Sequence, residues 1–400
     1  MKKKRAILLL LMTLNLLVLS GCWDMREINE LGLVTAVGID KADSPNRYIV
    51  TVQIANPSSQ SSGSGQSSAK SEVWIGSEEG PSLFDAARKL VKTSSRRIMW
   101  AHNNVVIIGE SLAKEGIIPV VDYFTHNPEL RMKAAIVIAD GAAKDYIVAK
   151  IGMDSPPGVS FGSLMGYRAL AAESVESQLL EVSSSLKSKY ANPLISKISL
   201  KETESQSGDS ESKDSGNSKI VELSGAAAFK KDKMVGWLSS EESRGIAWIL
   251  NQTKNTAVTV ADSEHADKSV VVETTGVKAK IKTEVVDGKL KISIRVSGKG
   301  DIVEEDGQTI QDMSETKGHI TELLNKSIEN EIKKSLELVQ KKYMVDCLGF
   351  AAIVHAENDK EWENGLKDKW EEVFPKIPIT VSVSINIKSS TLNQQPMYVY

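Results

Sequence analysis

The sequence predicts an α+β, multi-domain protein, with a mixed α/β layer in its N-terminal half and a C-terminal antiparallel sheet that has helices packed on one face. In the N-terminal half, the apolar runs 105–108 and 134–139 are typical of buried strands, and 117–124 between them indicates a crossover helix. In the C-terminal half, apolar and polar residues alternate along 277–296, on both sides of a turn predicted at Asp287-Gly288. A stripe of apolar residues at helical spacing predicts a helix that covers this hairpin. Its members are Ile320, Leu324, Ile328, Ile332, Leu336 and Val339.

Two more elements are predicted near the N-terminus. Alternating apolar residues over 48–54 indicate the first strand of a hairpin, and residues 73–75 indicate its second strand. A helix is predicted over 82–91, because Ser82 and Asp85 form a capping-box pattern. The apolar face of this helix is predicted to contain Leu83, Phe84, Ala87, Leu90 and Val91.

The C-terminal half contains four further predicted elements. A hairpin is predicted from 223–229 and 234–238, and a short helix follows it through Trp248. A second helix carries Trp362, Trp370 and Phe374, and a closing strand covers 379–387. The three tryptophans lie at helical positions that favour core packing.

The first residues have the features of a secretory signal. A short basic stretch precedes the apolar segment 6–19, which is shorter than the roughly 20 residues that a spanning helix needs. Leu19-Ser20-Gly21-Cys22 follows and resembles the lipobox cut by lipoprotein signal peptidase. We therefore predict that residues 1–21 are removed and that Cys22 becomes a lipidated N-terminus without a transmembrane helix behind it.

The composition excludes several classes of function. The chain contains 49 Lys and Arg against 52 Asp and Glu, and loss of the basic signal makes the mature chain more acidic, so binding to nucleic acid is not expected. The chain has 2 cysteines, and once Cys22 carries lipid only Cys347 remains, which excludes an intramolecular disulfide. Cys347 lies in an apolar run and is predicted to be a buried, unreactive thiol.

Two stretches of low complexity suggest a division into domains. Residues 57–71 are rich in Ser and Gly and predict a flexible loop, whereas 201–219 predict a disordered linker. The predicted units are an N-terminal α/β domain at 22–196, a middle β-rich subdomain at 220–275 and a C-terminal domain at 276–400.

A single short motif matches a catalytic pattern. Residues 158–162 fit G-x-S-x-G with Ser160 in the place of the nucleophile, but Pro156 and Pro157 stand where a central strand would be required. A Gly/Pro/Ser loop is therefore predicted here. The five histidines show no metal-ligand spacing, and no phosphate-binding or dinucleotide motif is present, so we predict no enzyme activity, no metal and no cofactor.

The residues that directly follow Cys22 are the candidates for contact with a partner or with the membrane. They are Trp23, Asp24, Arg26 and Glu27. A lipid on Cys22 would hold these aromatic and charged groups within a few residues of the bilayer, where an indole is favoured. A chain that neither spans the membrane nor catalyses a reaction can influence a membrane signal only by differential contact with partners.

The segment from Cys22 to Asn29 resembles the start of the C subunits of spore nutrient-germinant receptors, the Ger(x)C lipoproteins of endospore-forming bacteria. Similar matches occur at 37–40, 229–238 and 346–350, and at the aromatic residues before the last strand. The resemblance implies a non-enzymatic subunit that works with integral-membrane A and B subunits at the outer face of the spore inner membrane. His126 and Asn127 depart from the family pattern, which often has a basic residue and an acid there.

Two interpretations from other classes remain open. A solute-binding lipoprotein of a transporter would need a cleft between two similar α/β lobes, which the dissimilar halves of this sequence do not favour. A surface esterase that used Ser160 would need the strand before the serine that is missing here.

Overall fold

The computed structural model describes residues 3–5, 30–55, 73–149, 157–203, 218–261, 269–286, 289–305 and 313–390. Cys22, the four candidate contact residues, the predicted loop 57–71 and the Asp287-Gly288 turn lie outside these ranges. The described residues form one sheet of nine strands and one of four, each with its own helices. The predicted α+β, multi-domain fold is therefore confirmed.

The larger sheet has a parallel centre and antiparallel sides. Its strands are β1 (Leu31–Lys41), β2 (Tyr48–Ala55), β3 (Val73–Gly80), β4 (Arg97–Met99), β5 (Val105–Gly109), β6 (Ala135–Ala139), β7 (Leu194–Thr203), β8 (Ser218–Lys230) and β9 (Lys233–Leu238). Their order is β3-β2-β1-β5-β6-β7-β8-β9, and β4 also pairs with β1. The pairs β1–β5, β5–β6 and β6–β7 are parallel, and the predicted β2–β3 and β8–β9 hairpins are confirmed.

Helices cover both faces of the parallel centre. They are α1 (Leu83–Lys89), α2 (Glu110–Glu115), α3 (Ile118–His126), α4 (Ala143–Val148), α5 (Pro157–Ala171) and α6 (Leu179–Lys187). Helices α1, α2, α3 and α6 share a core with one face of the sheet, and α4 and α5 share a core with the other. Strands β5 and β6 are thus buried on both sides, which explains their continuous apolar sequence.

The stretch 201–219 differs from the predicted linker between two halves. Strand β7 continues to Thr203 and β8 begins at Ser218, and these two residues are paired in an antiparallel ladder. Residues 204–217 lie outside the described ranges. The predicted middle subdomain is also divided, because β8 and β9 belong to the larger sheet and β10 to the smaller one.

The smaller sheet contains β10 (Ala257–Ala261), β11 (Ser269–Val286), β12 (Lys289–Glu305) and β13 (Ile379–Ser390), in that order. The predicted hairpin is confirmed by the register of β11 on β12, in which Val286 pairs with Lys289. Helix α7 (Ser240–Ile249) and helix α8 (Met313–Leu336) pack against it, and a π-helical segment, Glu337–Lys342, extends α8. All six members of the predicted apolar stripe of α8 are buried.

The closing strand β13 pairs parallel with β12, so the smaller sheet is mixed rather than purely antiparallel. The reason is the length of the connection. Helix α8 has 24 residues, which corresponds to about 36 Å, and it returns the chain to the starting end of β12 before β13 begins.

The predicted second helix of the C-terminal half is interrupted. After α9 (Phe350–Glu357) come α10 (Asp359–Glu361), a π-helical turn at Trp362–Leu366, α11 (Lys367–Val373) and a 3-10 turn at Phe374–Lys376. Gly365 has a φ of 134°, a conformation that breaks a regular helix. Trp362, Trp370 and Phe374 are nevertheless buried, with adjacent ring centroids 5.5 and 5.7 Å apart, as their predicted core role requires.

Candidate functional site

The predicted contact residues Trp23, Asp24, Arg26 and Glu27 lie outside the described residues, as does Cys22. The nearest described element is β1, which begins at Leu31. An extended chain covers at most about 3.6 Å per residue, so Leu31 lies within about 32 Å of Cys22 whatever path the chain takes. The start of β1 is therefore the part of the described fold that follows the predicted anchor most closely along the chain.

Strand β4 forms one side of this surface. Leu31 pairs with Arg97 and Leu33 with Met99 in a parallel ladder. A tight turn leads into β4, because the Ser94 hydroxyl accepts a 3.3 Å hydrogen bond from the backbone N–H of Arg96 and donates one of 2.7 Å to its carbonyl oxygen. This turn and the ladder bring two adjacent arginines to the end of β1 where the chain enters the fold.

A groove of about 800 Å³, here called the β4 groove, lies between helices α1 and α3 beside β4. Its lining combines apolar, aromatic and charged side chains. The lining residues are Phe84, Ala87, Arg88, Val91, Ser94, Ser95, Arg96, Arg97, Ile98, Trp100, Asp122, Tyr123, His126, Asn127, Pro128 and Glu129. Ile98 and Trp100 are buried side chains at its base.

Phe84 on α1 and Val91 on the 3-10 turn that follows it, Leu90–Lys92, face this groove and not the core as predicted. The side chain of Ser82 caps the helix by accepting a 3.1 Å hydrogen bond from the backbone N–H of Asp85. Leu83, Ala86, Ala87 and Leu90 form the buried stripe. Phe84 and Val91 lie on the neighbouring stripe and are 57% and 52% exposed.

The opposite wall belongs to α3 and the loop after it. The ring Nδ1 of His126 lies 3.1 Å from a carboxylate oxygen of Asp122, one helical turn away. The backbone N–H of Trp100 donates a 3.5 Å hydrogen bond to Glu129. Burial raises the pKa of Tyr123 above its ordinary value, which keeps its phenol neutral. His126 and Asn127 thus lie in the wall of this groove.

Two cations of the β4 groove, Arg88 and Arg97, are exposed. The guanidinium of Arg88 lies 5.0 Å from the centre of the Phe84 ring, a cation–π contact. Neither Arg88 nor Arg97 forms an ion pair with a carboxylate of the described ranges. Exposed aromatic groups beside free arginines are typical of protein interfaces rather than of catalytic sites.

The candidate nucleophile does not lie in the predicted loop. Ser160 belongs to the first turn of α5, where the backbone N–H of Gly158 donates a 2.8 Å hydrogen bond to the side-chain oxygen of Gln53. Ser160 is 3% exposed and Phe161 is fully buried. Helix packing against β1 thus closes this serine to a substrate, and an accessible nucleophile elbow is not formed.

The described residues lack two further features, a metal-binding cluster and a membrane-spanning helix. They contain no cluster of three or more His, Cys, Asp and Glu side chains that could bind a metal ion. None of their helices combines the length and apolar character needed to cross a bilayer. Cys347 is partly buried, and burial raises the pKa of its thiol to about 12, which is in keeping with the predicted unreactive thiol.

The β4 groove was not predicted from the sequence. One local signal exists, because Phe84, Arg88 and Val91 follow each other at intervals of four and three residues and so share a helix face. The predicted helix has five apolar residues on one core face, so the prediction does not separate the second stripe from the buried one. The other wall comes from residues about 35 positions later and only the fold brings it near.

Two family models match the two halves of the chain. The first, described as the spore germination protein N-terminal domain, matches residues 24–200, and the second, described as spore germination B3/GerAC-like, C-terminal, matches residues 224–391. Spore germination protein KC of Bacillus subtilis (strain 168) is 29% identical in an alignment 404 positions long that covers 98% of each chain. Spore germination protein B3 of the same organism is 24% identical in an alignment 381 positions long that covers 93% of this chain and 94% of the relative.

A solved structure has a similar fold. The crystal structure of the GerBC protein superimposes with a TM-score of 0.53 and 19% sequence identity, and the match covers 88% of this chain and 96% of that one. At this identity the likeness concerns the fold. It agrees with the matches of the family models over both halves of the chain.

Proposed function

Since the chain belongs to the GerAC-like family of spore germination proteins, we propose that it is the lipoprotein subunit of a nutrient-germinant receptor and acts without catalysis. In this proposal, Cys22 carries the lipid and holds the protein on the outer face of the spore inner membrane. The observation that supports it most is the match of family models to both halves of the chain. The relatives with which it aligns along nearly the whole length are spore germination proteins.

The proposed partners are the integral-membrane A and B subunits of the receptor. A protein held at one face of a membrane changes a signal across it only if its contacts differ between two states of a spanning partner. We propose that Trp23, Asp24, Arg26 and Glu27 make part of this contact, next to the start of β1. Their closeness to Cys22 limits the conformational entropy that is lost on contact.

The first test is the anchor. Replacing Cys22 by Ala is expected to move the protein from the membrane to the soluble fraction, because lipid burial contributes about 0.8 kcal/mol per CH₂ and this contribution disappears. Fractionation before and after a carbonate wash measures the change. Retention of the variant in the washed membrane would show a second anchor and would contradict the role given to Cys22.

The second test is the contact. Spores that carry Asp24→Ala with Arg26→Ala should contain the anchored, folded protein but respond poorly to nutrient, while they respond normally to a trigger that bypasses receptors. A matched control is Lys369→Ala with Glu372→Ala, two exposed charges on α11. Normal nutrient germination of the first variant, at the wild-type protein level and in spores without other receptors, would disprove the contact role.

A further inference from the structure

The β4 groove exposes apolar surface that a folded chain usually buries. Phe84 and Val91 are more than half exposed, and they face the groove above the buried side chains of Ile98 and Trp100. A contiguous apolar patch rimmed by polar groups is typical of a binding surface. The volume of about 800 Å³ is large enough to receive several side chains of a partner.

The charges of the groove select the chemistry of that partner. Asp122 lies against His126, and Glu129 accepts the N–H of Trp100, so both acids already have neighbours. Arg88 and Arg97 are exposed and have no carboxylate partner among the described residues. The lining carries three arginines, Arg88, Arg96 and Arg97, against two carboxylates, Asp122 and Glu129, so its net charge is positive in a chain whose net charge is −3, and it favours a partner that carries carboxylates.

The shape of the groove favours a helix as the occupant. Phe84 and Arg88 lie one turn apart on α1, Val91 follows on the 3-10 turn after it, and Tyr123 and His126 lie one turn apart on α3. A third helix can place apolar side chains at spacings of three and four residues between two such walls. A phosphate or lipid headgroup would make no apolar contact with Trp100 at the base of the groove. Its negative charge would also be repelled by the carboxylates of Asp122 and Glu129.

We infer that the β4 groove binds an amphipathic helix with acidic residues along one side, contributed by a membrane partner on the same face of the bilayer. The inference rests on the proposed function, which supplies the membrane partner. The groove lies beside the residues of β4 that pair with the start of β1, the described strand that follows the predicted anchor along the chain. The Phe84 and Val91 side chains would pack against the apolar face of the bound helix, and Arg88 and Arg97 would form ion pairs with its carboxylates.

Photo-crosslinking in intact spore membranes identifies the occupant. A photoreactive amino acid replaces Val91 in the groove or, as the control, Val148, which is 56% exposed on α4 at the opposite face of the sheet. Val91 should give a product with an acidic helical peptide of a membrane subunit, identified by mass spectrometry, and Val148 should give none. A product of Val91 with lipid alone, with residues 23–29 of the same chain, with a second copy or with nothing would overturn the inference.

Charge reversal tests the role of the arginines. Arg88→Glu with Arg97→Glu should reduce co-purification of the membrane subunits by roughly tenfold or more, and Arg88→Lys with Arg97→Lys should keep most of it. Two exposed lysines on other elements serve as the control, Lys187→Glu on α6 with Lys369→Glu on α11, which change the net charge equally. Equal losses in the reversed and control variants, at unchanged thermal stability, would contradict binding in the groove.

Failure of the inference and failure of the proposed function give different results. If groove variants assemble and germinate normally while deletion of the gene abolishes the nutrient response, the receptor role stands and the groove is not the contact. If deletion leaves the nutrient response intact in spores without other receptors, the proposed function itself is wrong. The crosslinking result is independent of germination and tests the groove contact alone, whereas the deletion tests the proposed function.

Discussion

The indole Nε1 of Trp248 donates a 3.1 Å hydrogen bond to a carboxylate oxygen of Glu331, and this bond joins α7 to α8 inside the C-terminal core. Trp248 is fully buried and Glu331 is 5% exposed. The same carboxylate accepts two hydrogen bonds from the guanidinium of Arg244, one of them 3.1 Å long. The negative charge of Glu331 thus has three donors in a place that water hardly reaches.

Replacing Glu331 by Leu should lower the free energy of unfolding by about 3 kcal/mol, since it leaves the Arg244 guanidinium and the Trp248 N–H without an acceptor. Urea unfolding of the soluble Cys22→Ala protein, followed by tryptophan fluorescence, measures the loss. The control is Glu329→Leu on the same helix, where the ion pair with Lys333 is partly exposed and is worth less than about 0.5 kcal/mol. Similar losses in both variants would show that the buried network adds no particular stability.

Asp40 gives a prediction about pH. Its carboxylate accepts hydrogen bonds of 2.7 and 2.9 Å from the backbone N–H groups of Ala143 and Lys144 at the start of α4, yet burial raises its pKa above the ordinary value. Because the pKa is higher in the folded state than in the unfolded state, protonation favours folding. The Asp40 contribution to stability should therefore decrease as the pH rises through the folded-state pKa.

The comparison with Asp40→Asn isolates this contribution, because the variant cannot titrate there. The free energy of unfolding of the wild type minus that of the variant should decrease as the pH rises from about 4 to about 7. Urea titrations at several pH values measure this difference. A shift in the opposite direction would mean that the two N–H donors stabilise the carboxylate more than burial destabilises it.

Cys347 should be slow to react with thiol reagents in the native protein. Its pKa is raised to about 12 by burial, so at pH 8 only about 1 in 10,000 molecules carries the thiolate. Iodoacetamide labelling should be at least about a hundredfold slower than for a Ser184→Cys residue on the exposed side of α6. Equal labelling rates of the two thiols in the folded protein would show that Cys347 is accessible and ionised.

Ser160→Ala should leave the nutrient response of spores unchanged. The serine is buried in the first turn of α5, so the change removes one oxygen from a packed helix and no accessible nucleophile. Germination rate and labelling by a fluorophosphonate probe measure the outcome, with Ser184→Ala as a control on an exposed helix face. Specific labelling of Ser160, lost in the alanine variant together with the response, would restore the hydrolase hypothesis.

Much of the fold could be predicted from periodicity. The apolar stripe from Ile320 to Val339 identified α8, and the alternation around 277–296 identified the β11–β12 hairpin. Both signals are local, because the apolar face of a helix or strand is set by residues that lie close together in the sequence. The N-cap at Ser82 is local as well.

The errors concern relations between distant residues. Nothing near 204–217 reveals that β7 and β8 pair across it, and nothing near Ile379 reveals that β13 runs parallel to β12. The glycine and proline neighbours of Ser160 predict a loop, whereas packing against β1 favours a helix. In each case the contacts of the folded chain outweighed a local preference.

The sequence by itself determined the strands and helices with the clearest apolar periodicity, the apolar faces of the longest of these, and the prediction of a lipidated Cys22, because each depends on residue types at short spacing. The tertiary structure alone decided that Phe84 and Val91 face outward, that Arg97 lies beside the start of β1, and that α3 closes the other side of the β4 groove. Helix periodicity shows that a second stripe exists on α1. Which stripe is buried depends on where the sheet and α3 lie, and that is fixed only when distant segments pack together.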